Sequence, residues 1–529
     1  MWAEALSFMA FVRPSLVRDV ATVSAATLLS RLLGFVRDLG IAALLGAGAV
    51  SDAFFAAMLI PNLFRRLLTE GALNSAFVPA WIRTRAEDGA AGTRRLGEEA
   101  FGLMLVGLGS LALICAVLAP VLVRGVAPGF AAGDDRYALA VTYLRIALPY
   151  ITIAGIVAVA AAALNAEGRV GAVSIGLVIY NGVVIAAVVL LLFGHMSLYA
   201  GVILSAAVVL AGLAQMLVIG TALIRLPVPP LHPRLLLSAR TRRLFAMALP
   251  GLVAAGIPQL KLIAGAMVAS PSPSAVSWLY YSYRLYELPL GVISVTVASV
   301  MAPAIAASLR ANDIDVRGAQ SRALEITLGL ALPAALGIAV LAVPIAATLF
   351  EHGAFGPRDS AAVGSAIAAI AAGLPGHAIE KVFGSISFAH DDTRTPMLTA
   401  LGGLAAAIGT AIALFPAYGH VGVAAAIAGS GWVGAGSLGI ILARRRWLTV
   451  DRALTWRLPR IVLVAATMGL ATYFARLLIV STPDASSALQ RSAELAILVI
   501  FGLAVYAAGL QALGVTQIRD LVAMVRGRG

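Results

Sequence analysis

Eight positively charged side chains lie inside apolar stretches of this 529-residue chain: Arg31, Arg37, Arg65, Arg66, Arg145, Lys261, Arg284 and Lys381. The two lysines among them are the only lysines in the sequence. A charge at the centre of a membrane helix costs about 2.5–3.5 kcal/mol on insertion scales. Such residues therefore seek a hydrated cavity, a partner or the interface. In SRLLGFVRD (30–38), Arg31, Gly34 and Asp38 follow the i, i+3, i+7 spacing of one helix face, and Arg37 stands about 120° round from Arg31. Two readings stay open here. Arg37 pairs locally with Asp38 while Arg31 snorkels to the interface, or these side chains line a cavity.

PNLFRRLLTE (61–70) adds Arg65 and Arg66, and SWLYYSYRLYELPLG (277–291) adds Arg284 with Glu287 three residues on. A guanidinium presents a planar fork that matches phosphate oxygens in pairs. The expected cargo is therefore an anion, a phosphate or a pyrophosphate. Tyr280, Tyr281, Tyr283 and Tyr286 flank Arg284; they either cap a cavity and stack on sugar, or pack. Asp52 opens the second apolar segment, where it either favours the positive end of a helix dipole or forms a gating ion pair. Glu70–Gly71 marks an expected break. Lys261, Glu380 and Lys381 form a candidate coupling group: Lys381 pairs with Glu380, or Lys261 reaches Glu380 or Glu287. The histidines are scattered, and HDDTR (390–394) reads as a loop. No metal site and no cofactor is expected.

The elements that must position these groups follow from composition. The chain is 61% hydrophobic and 12% charged, about half the charge of a soluble domain. Its apolar stretches run to about 20 residues, enough to cross roughly 30 Å of hydrocarbon as helix. An all-α polytopic membrane protein is expected, with fourteen spans near 18–46, 51–82, 97–126, 136–165, 170–194, 197–224, 243–270, 274–309, 320–350, 360–388, 395–416, 420–443, 458–481 and 490–514. Residues 1–17 read as an extension with no clear span. The single Cys115 excludes an internal disulfide.

The net charge of +13 invites a nucleic-acid reading, but the distribution of the charge argues for topology. Outside the spans, 25 of the positive residues fall in one set of alternate connections, and only Arg124, Arg136, Arg358, Arg476 and Arg491 fall in the other. Positive residues favour the cytoplasmic side, so both termini are expected there. Nucleic acid is not an expected partner.

The chain also repeats itself. Ala49-Val50-Ser51 recurs as Ala275-Val276-Ser277, Pro79 as Pro303, Pro120 as Pro344, Phe130 as Phe355, Pro149 as Pro375 and Arg169 as Arg394, all at offsets within two residues of one another. Six spans per repeat give both copies the same orientation. Such parallel repeats place a substrate site between two lobes and rock them for alternating access. The domains expected are an N-lobe at 18–224, a cytoplasmic linker at 225–242, a C-lobe at 243–446, and two added spans with a cytoplasmic tail at 447–529. The lobes are expected to enclose a central cavity.

The stretch SRLLGFVRDLGIAALLGAGAVSDAFFAAMLIPNLFRRLLTEGALNSAFVP (30–79) resembles the N-terminal signature of the MurJ (MviN) family. APGF (127–130), SWLYYSYRLYELPLGV (277–292) and DTRTP (392–396) are similar to further family segments in the same order. The resemblance extends over residues 18–529. It implies a lipid II flippase of the multidrug/oligosaccharidyl-lipid/polysaccharide exporter superfamily, a transporter and not an enzyme, in the bacterial inner membrane. It implies that Arg31, Arg37, Arg65 and Arg284 are the essential cavity arginines, that Asp52 is the functional acid after the first external turn, and that spans 13 and 14 line a groove for the lipid tail. Asp38, Arg66 and Glu287 complete the expected charge network. Transport driven by membrane potential or an ion gradient, a monomer in contact with membrane lipids, and contact with cell-wall synthesis machinery are further expectations. A multidrug or cation antiporter of the same superfamily is the alternative; its cavity should be acidic.

Overall fold

The computed structural model describes residues 14–69, 72–131, 133–194, 199–230, 232–310, 316–479 and 487–515, with side chains described from residue 29 onward except at 69, 72, 250, 253–255, 310 and 316. The readings placed on residues 1–13, the Glu70–Gly71 break, His195 and the C-terminal tail lie outside them. Every regular element among the described residues is helical. The first half runs α1 (Pro14–Leu45), α2 (Ala49–Thr69), α3 (Ala72–Val117), α4 (Ala119–Val126), α5 (Asp135–Ala147), α6 (Pro149–Ala166), α7 (Val170–Phe193) and α8 (Ala200–Ile224). The second runs α9 (Ala239–Ala269), α10 (Ala275–Thr296), a π-helical turn at Val297–Met301, α11 (Ala302–Arg310), α12 (Val316–Val340), α13 (Ala342–Phe350), α14 (Pro357–Ala371), α15 (Leu374–Ala389) and α16 (Arg394–Arg444). Two further helices, α17 (Arg452–Ile479) and α18 (Ala488–Ala512), close the order.

Among the described residues, nine helices are long and apolar enough to cross a membrane, and a tenth if the bent pair α14–α15 counts as one span. The protein is thus an all-α, multi-pass membrane protein. Several of these helices are longer than one crossing. α16 is interrupted at Gly419, whose φ of 54° no ordinary helical residue adopts, so that it divides into two arms. α3 is interrupted likewise at Gly89, φ 64°. The connection expected as a loop at 83–95 is therefore helical on both sides of one glycine. Thr93 Oγ bonds back to Gly89 O at 2.8 Å, holding the second arm's first turn.

The repeat is visible in the element order. Short α4 follows α3 across Leu118, and short α13 follows α12 across Leu341. α5 and α6 are separated at Leu148, just before Pro149, as α14 and α15 are separated just before Leu374–Pro375. The eighth apolar segment, expected to run unbroken to 309, changes to a π turn before Pro303. A proline lacks the N–H and crowds the carbonyl four residues back, here Ser299, so the ladder widens.

By contact the chain forms two compact units, Met1–Ser277 with Gly353–Phe355, and Trp278–His352 with Gly356–Gly529. The first is built on alanine-rich α6, which packs on α3 and α8. Small side chains let helices approach closely where hydrophobic burial gives no drive in lipid. Phe77, Trp81, Ala100, Val159 and Ala163 form its centre. In the second unit α17 packs on α12 and α18 through Val464, Ala465, Met468 and Tyr506. Tyr506 donates to Gly329 O at 2.8 Å, Arg476 to Val340 O at 2.7 Å, and Arg491 pairs with Glu351 at 2.8 Å. These bonds tie the two added helices to that unit.

Candidate functional site

α1 presents Arg31 to the surface and sinks Asp38 completely. Arg37 lies between: its Nε and Nη2 donate to Asp38 Oδ1 at 3.0 and 2.8 Å, and its Nη1 donates to Asn181 Oδ1 at 3.2 Å. Asn181 sits mid-way along apolar α7 and donates from its amide to Ser30 O at 3.1 Å. One asparagine thus fixes α1 against α7 and orients the guanidinium. Sequence reasoning passed over Asn181. Its signal was there, since a lone amide in an apolar span is costly unless it bonds to a neighbouring helix.

Arg65 and Arg66 are half-buried on α2. Arg65 and Arg37 both lie within electrostatic reach of the buried Tyr150, whose ring centroid is 5.6 Å from that of Tyr180. Two arginines from different helices therefore converge on one region of the first unit. In the second unit Arg284 pairs with Glu287 at 2.8 Å, one turn along α10. Tyr281, Tyr283 and Tyr286 are buried and make ring contacts, Tyr281 with Phe350 and Tyr286 with His377. They are packing residues, and Tyr280 is half-buried beside Tyr281.

Asp52 is fully buried at the start of α2, but it caps a different helix. Its Oδ2 accepts the Ser274 N–H at 2.8 Å, and its Oδ1 accepts the Ser277 N–H at 2.9 Å and the Ser277 hydroxyl at 2.5 Å. These are unsatisfied donors of the first turn of α10. Arg136, on α5, stands 3.5 Å from Asp52 Oδ2 and is held by Asp134 at 2.7 Å, by Ser270 O at 3.3 Å and over the Phe130 ring. The sequence had assigned Arg136 to topology alone. The Asp134 carboxyl is held below its usual range, first by its hydrogen bond from the Arg136 side chain.

Around this network the connecting loops exchange contacts. Gly129 N donates to Ser270 Oγ at 2.8 Å, and Ala354 N donates to Ala43 O at 2.8 Å. Matching loops of the two repeats, APGF and GAFG, thus each grip the first hairpin of the other repeat. Gly129 lies so close to Pro271, and Gly353 to Ala43, that a Cβ at either position would overlap backbone.

Lys261 is buried on α9, Lys381 is exposed on α15, and Glu380 lies half-buried where Gly434 of α16 gives it room. Arg145 is exposed and donates to Ala116 O. Asp392, in HDDTR, accepts the Arg394 and Thr395 N–H groups and pairs with Arg445 as the cap of α16. Burial works against its ionisation, but the bonds from Thr395 and Arg445 outweigh that and hold its pKa at about 2.

A multi-pass helical membrane protein built on two repeats, with guanidiniums inside its helices, has the make-up of a membrane transporter. The family model described as lipid II flippase MurJ matches residues 41–491. The probable lipid II flippase MurJ of Rhizobium meliloti is 38% identical over 87% of this chain and 87% of its own. That of Rhizobium tropici is 34% identical over 93% of each. The chain belongs to the lipid II flippase MurJ family. Its fold matches a solved lipid II flippase MurJ in an inward closed conformation, with a TM-score of 0.78 at 22% identity over 94% of this chain and 99% of that one. It also matches an inward-facing multidrug resistance transporter of the MATE family, with a TM-score of 0.65 at 16% identity over 82% and 98%.

Proposed function

We propose that this protein carries lipid II, the undecaprenyl-pyrophosphate-linked disaccharide-pentapeptide, from the cytoplasmic to the periplasmic leaflet of the bacterial inner membrane by alternating access. Both termini lie in the cytoplasm. One observation carries the reading of the site: intramembrane arginines are held by carboxylates that a phosphate can replace. Arg37 rests on Asp38 and Arg284 on Glu287. A pyrophosphate oxygen takes the carboxylate's place without leaving a guanidinium bare in a low dielectric, which would cost several kcal/mol. Arg31 and Arg65 supply further donors, with Arg66 in the surrounding charge network. The polyprenyl tail stays in lipid beside α17 and α18.

The membrane potential, negative inside, favours outward movement of an anion by about 2.3 kcal/mol per charge per 100 mV. It or an ion gradient biases the cycle, with Lys261, Glu380 and Lys381 as candidate coupling groups. The protein works as a monomer among membrane lipids and delivers lipid II to the cell-wall synthesis machinery. The test replaces Arg31, Arg37 and Arg284 singly by Ala in cells depleted of the native protein and measures lipid II exposed on the outer leaflet. Exposure should fall in each. Undiminished exposure in all three defeats the mechanism.

A further inference from the structure

Asn181 is buried in α7, and its amide is held from both sides. Nδ2 donates to Leu177 O, one turn back on its own helix, at 3.1 Å. It also donates across to α1, to Ser30 O at 3.1 Å and Ser30 Oγ at 3.3 Å. Backbone carbonyls only accept. Turning the amide over would set its oxygen against two other oxygens, so its orientation is fixed by the backbones of both helices. Oδ1 is thereby aimed at Arg37 Nη1, which only donates, at 3.2 Å.

The guanidinium meets its two partners on different sides. Its Nε–Nη2 edge rests on Asp38 Oδ1, and Nη1 rests on Asn181. A phosphate oxygen that replaces Asp38 takes the Nε–Nη2 edge and leaves the Nη1 bond in place. The partner that stays is neutral, so it holds the guanidinium without offsetting the charge that draws an anion. The repeat shows that the fold alone does not require this amide. Counting from the matched pairs Ala49–Ala275 and Arg169–Arg394, Arg37 corresponds to Ile263 and Asn181 to Ala406. The repeat without the arginine is also without the asparagine.

We propose that Asn181 is a positioning residue for the pyrophosphate: the fixed, neutral pivot on which Arg37 exchanges Asp38 for a phosphate oxygen. The inference rests on the reading of Arg37 as a pyrophosphate ligand. Asp38 is the partner that is exchanged, and Asn181 is the partner that is kept. An arginine held in this way beforehand has less freedom to lose when the anion arrives, and affinity rises accordingly. Asn181 acts only through Arg37, so its contribution vanishes when the guanidinium is removed.

The experiment is a double-mutant cycle on the full-length protein in detergent, with lipid II affinity measured by titration for the native protein, N181S, R37A and R37A/N181S. In N181S the hydroxyl bonds back to Leu177 O, which spares the helix a bare polar group, and it is too short to reach Nη1. N181S should bind lipid II about five- to tenfold more weakly than the native protein, the scale of one hydrogen bond's net contribution. On the R37A background the same change should make less than about a twofold difference, because coupled residues do not add. N181L, of similar size and apolar, is the second variant and should repeat the pattern. A merely structural asparagine would lower affinity by the same factor with or without Arg37. Equal factors on both backgrounds, or native affinity in N181S, overturn the inference and leave the proposed function standing. Failure of both N181S and N181L to fold makes Asn181 structural and overturns it too. Native affinity in R37A, or no binding by the native protein, overturns the reading of Arg37 as well.

Discussion

Asp52 caps a helix that starts more than two hundred residues away: its Oδ1 accepts the Ser277 N–H at 2.9 Å. The acid opens α2 of the first repeat and closes the orphan donors of α10, the corresponding helix of the second. Ser51 adds to the link, its Oγ standing 3.0 Å from the same Ser277 hydroxyl. Asp52 thereby has a physical task, which is to satisfy the N–H groups at the turn that opens α10.

Asp52→Ala leaves the Ser274 and Ser277 N–H groups buried without their acceptor, at about 1–3 kcal/mol each. The detergent-solubilised protein should melt at a lower temperature, and lipid II exposure in depleted cells should drop. Asp52→Asn retains an acceptor and should be milder in melting. Arg136→Ala removes the cation beside Asp52 and should lower the melting temperature as well. An Asp52→Ala melting curve identical to the native one would contradict the capping role.

Asp38 sets the resting position of Arg37. Asp38→Asn should weaken lipid II binding less than Arg37→Ala, since Asn181 still accepts from the guanidinium. Loss of charge-assisted hydrogen bonds worth about 1.5–3 kcal/mol corresponds to roughly ten- to a hundredfold in affinity for Arg37→Ala. Arg37→Lys should not rescue it, because an ammonium lacks the fork. Titration of each purified variant with lipid II gives the comparison, and an Arg37→Lys affinity equal to the native value would refute the bidentate contact.

Gly46 and Gly353 face each other's hairpin with φ of 60° and 61°. A Cβ at Gly46 would overlap Ala354 O, and one at Gly353 would overlap Ala43 O. Gly353→Ala should destabilise by at least about 1–2 kcal/mol from the left-handed backbone alone, and protease sensitivity near residue 354 should rise. Gly48, with open space around its Cβ, is the control; Gly48→Ala should leave both readings unchanged.

Asp392 predicts an acid limb. Its folded pKa of about 2 lies below the model-compound 3.8, so the ionised form stabilises the fold. That contribution is complete above about pH 4 and fades as pH falls through the folded value. Asp392→Asn should thus melt lower than the native protein at pH 5, with the gap closing toward pH 2. A gap independent of pH would show that the Arg445 and Thr395 bonds do not depend on the charge.

Much of this was legible in the chain. Hydrophobic stretch length gave the helical membrane class, and the offsets joining Pro120 to Pro344 and Phe130 to Phe355 foretold the matching breaks and loops. The arginines stood out because charge in an apolar run is expensive. Partners were not legible. Nothing in the spacing joins Arg37 to Asn181, Asp52 to Ser277 or His377 to Tyr286, because each pair is 91 to 225 residues apart and meets only where helices pack.

Sequence by itself determined which segments are helical and apolar and where fixed charge is embedded, since those depend on local composition and on the cost of charge in lipid. It also supplied the alternative that Arg37 pairs with its neighbour Asp38, which the structure realises. Tertiary structure alone decided which acceptor each donor found. A hydrogen bond needs two groups within about 3 Å, and only the packing of α1 on α7, of the first hairpin near the turn before α10, and of α15 beside α10 brings those groups so close.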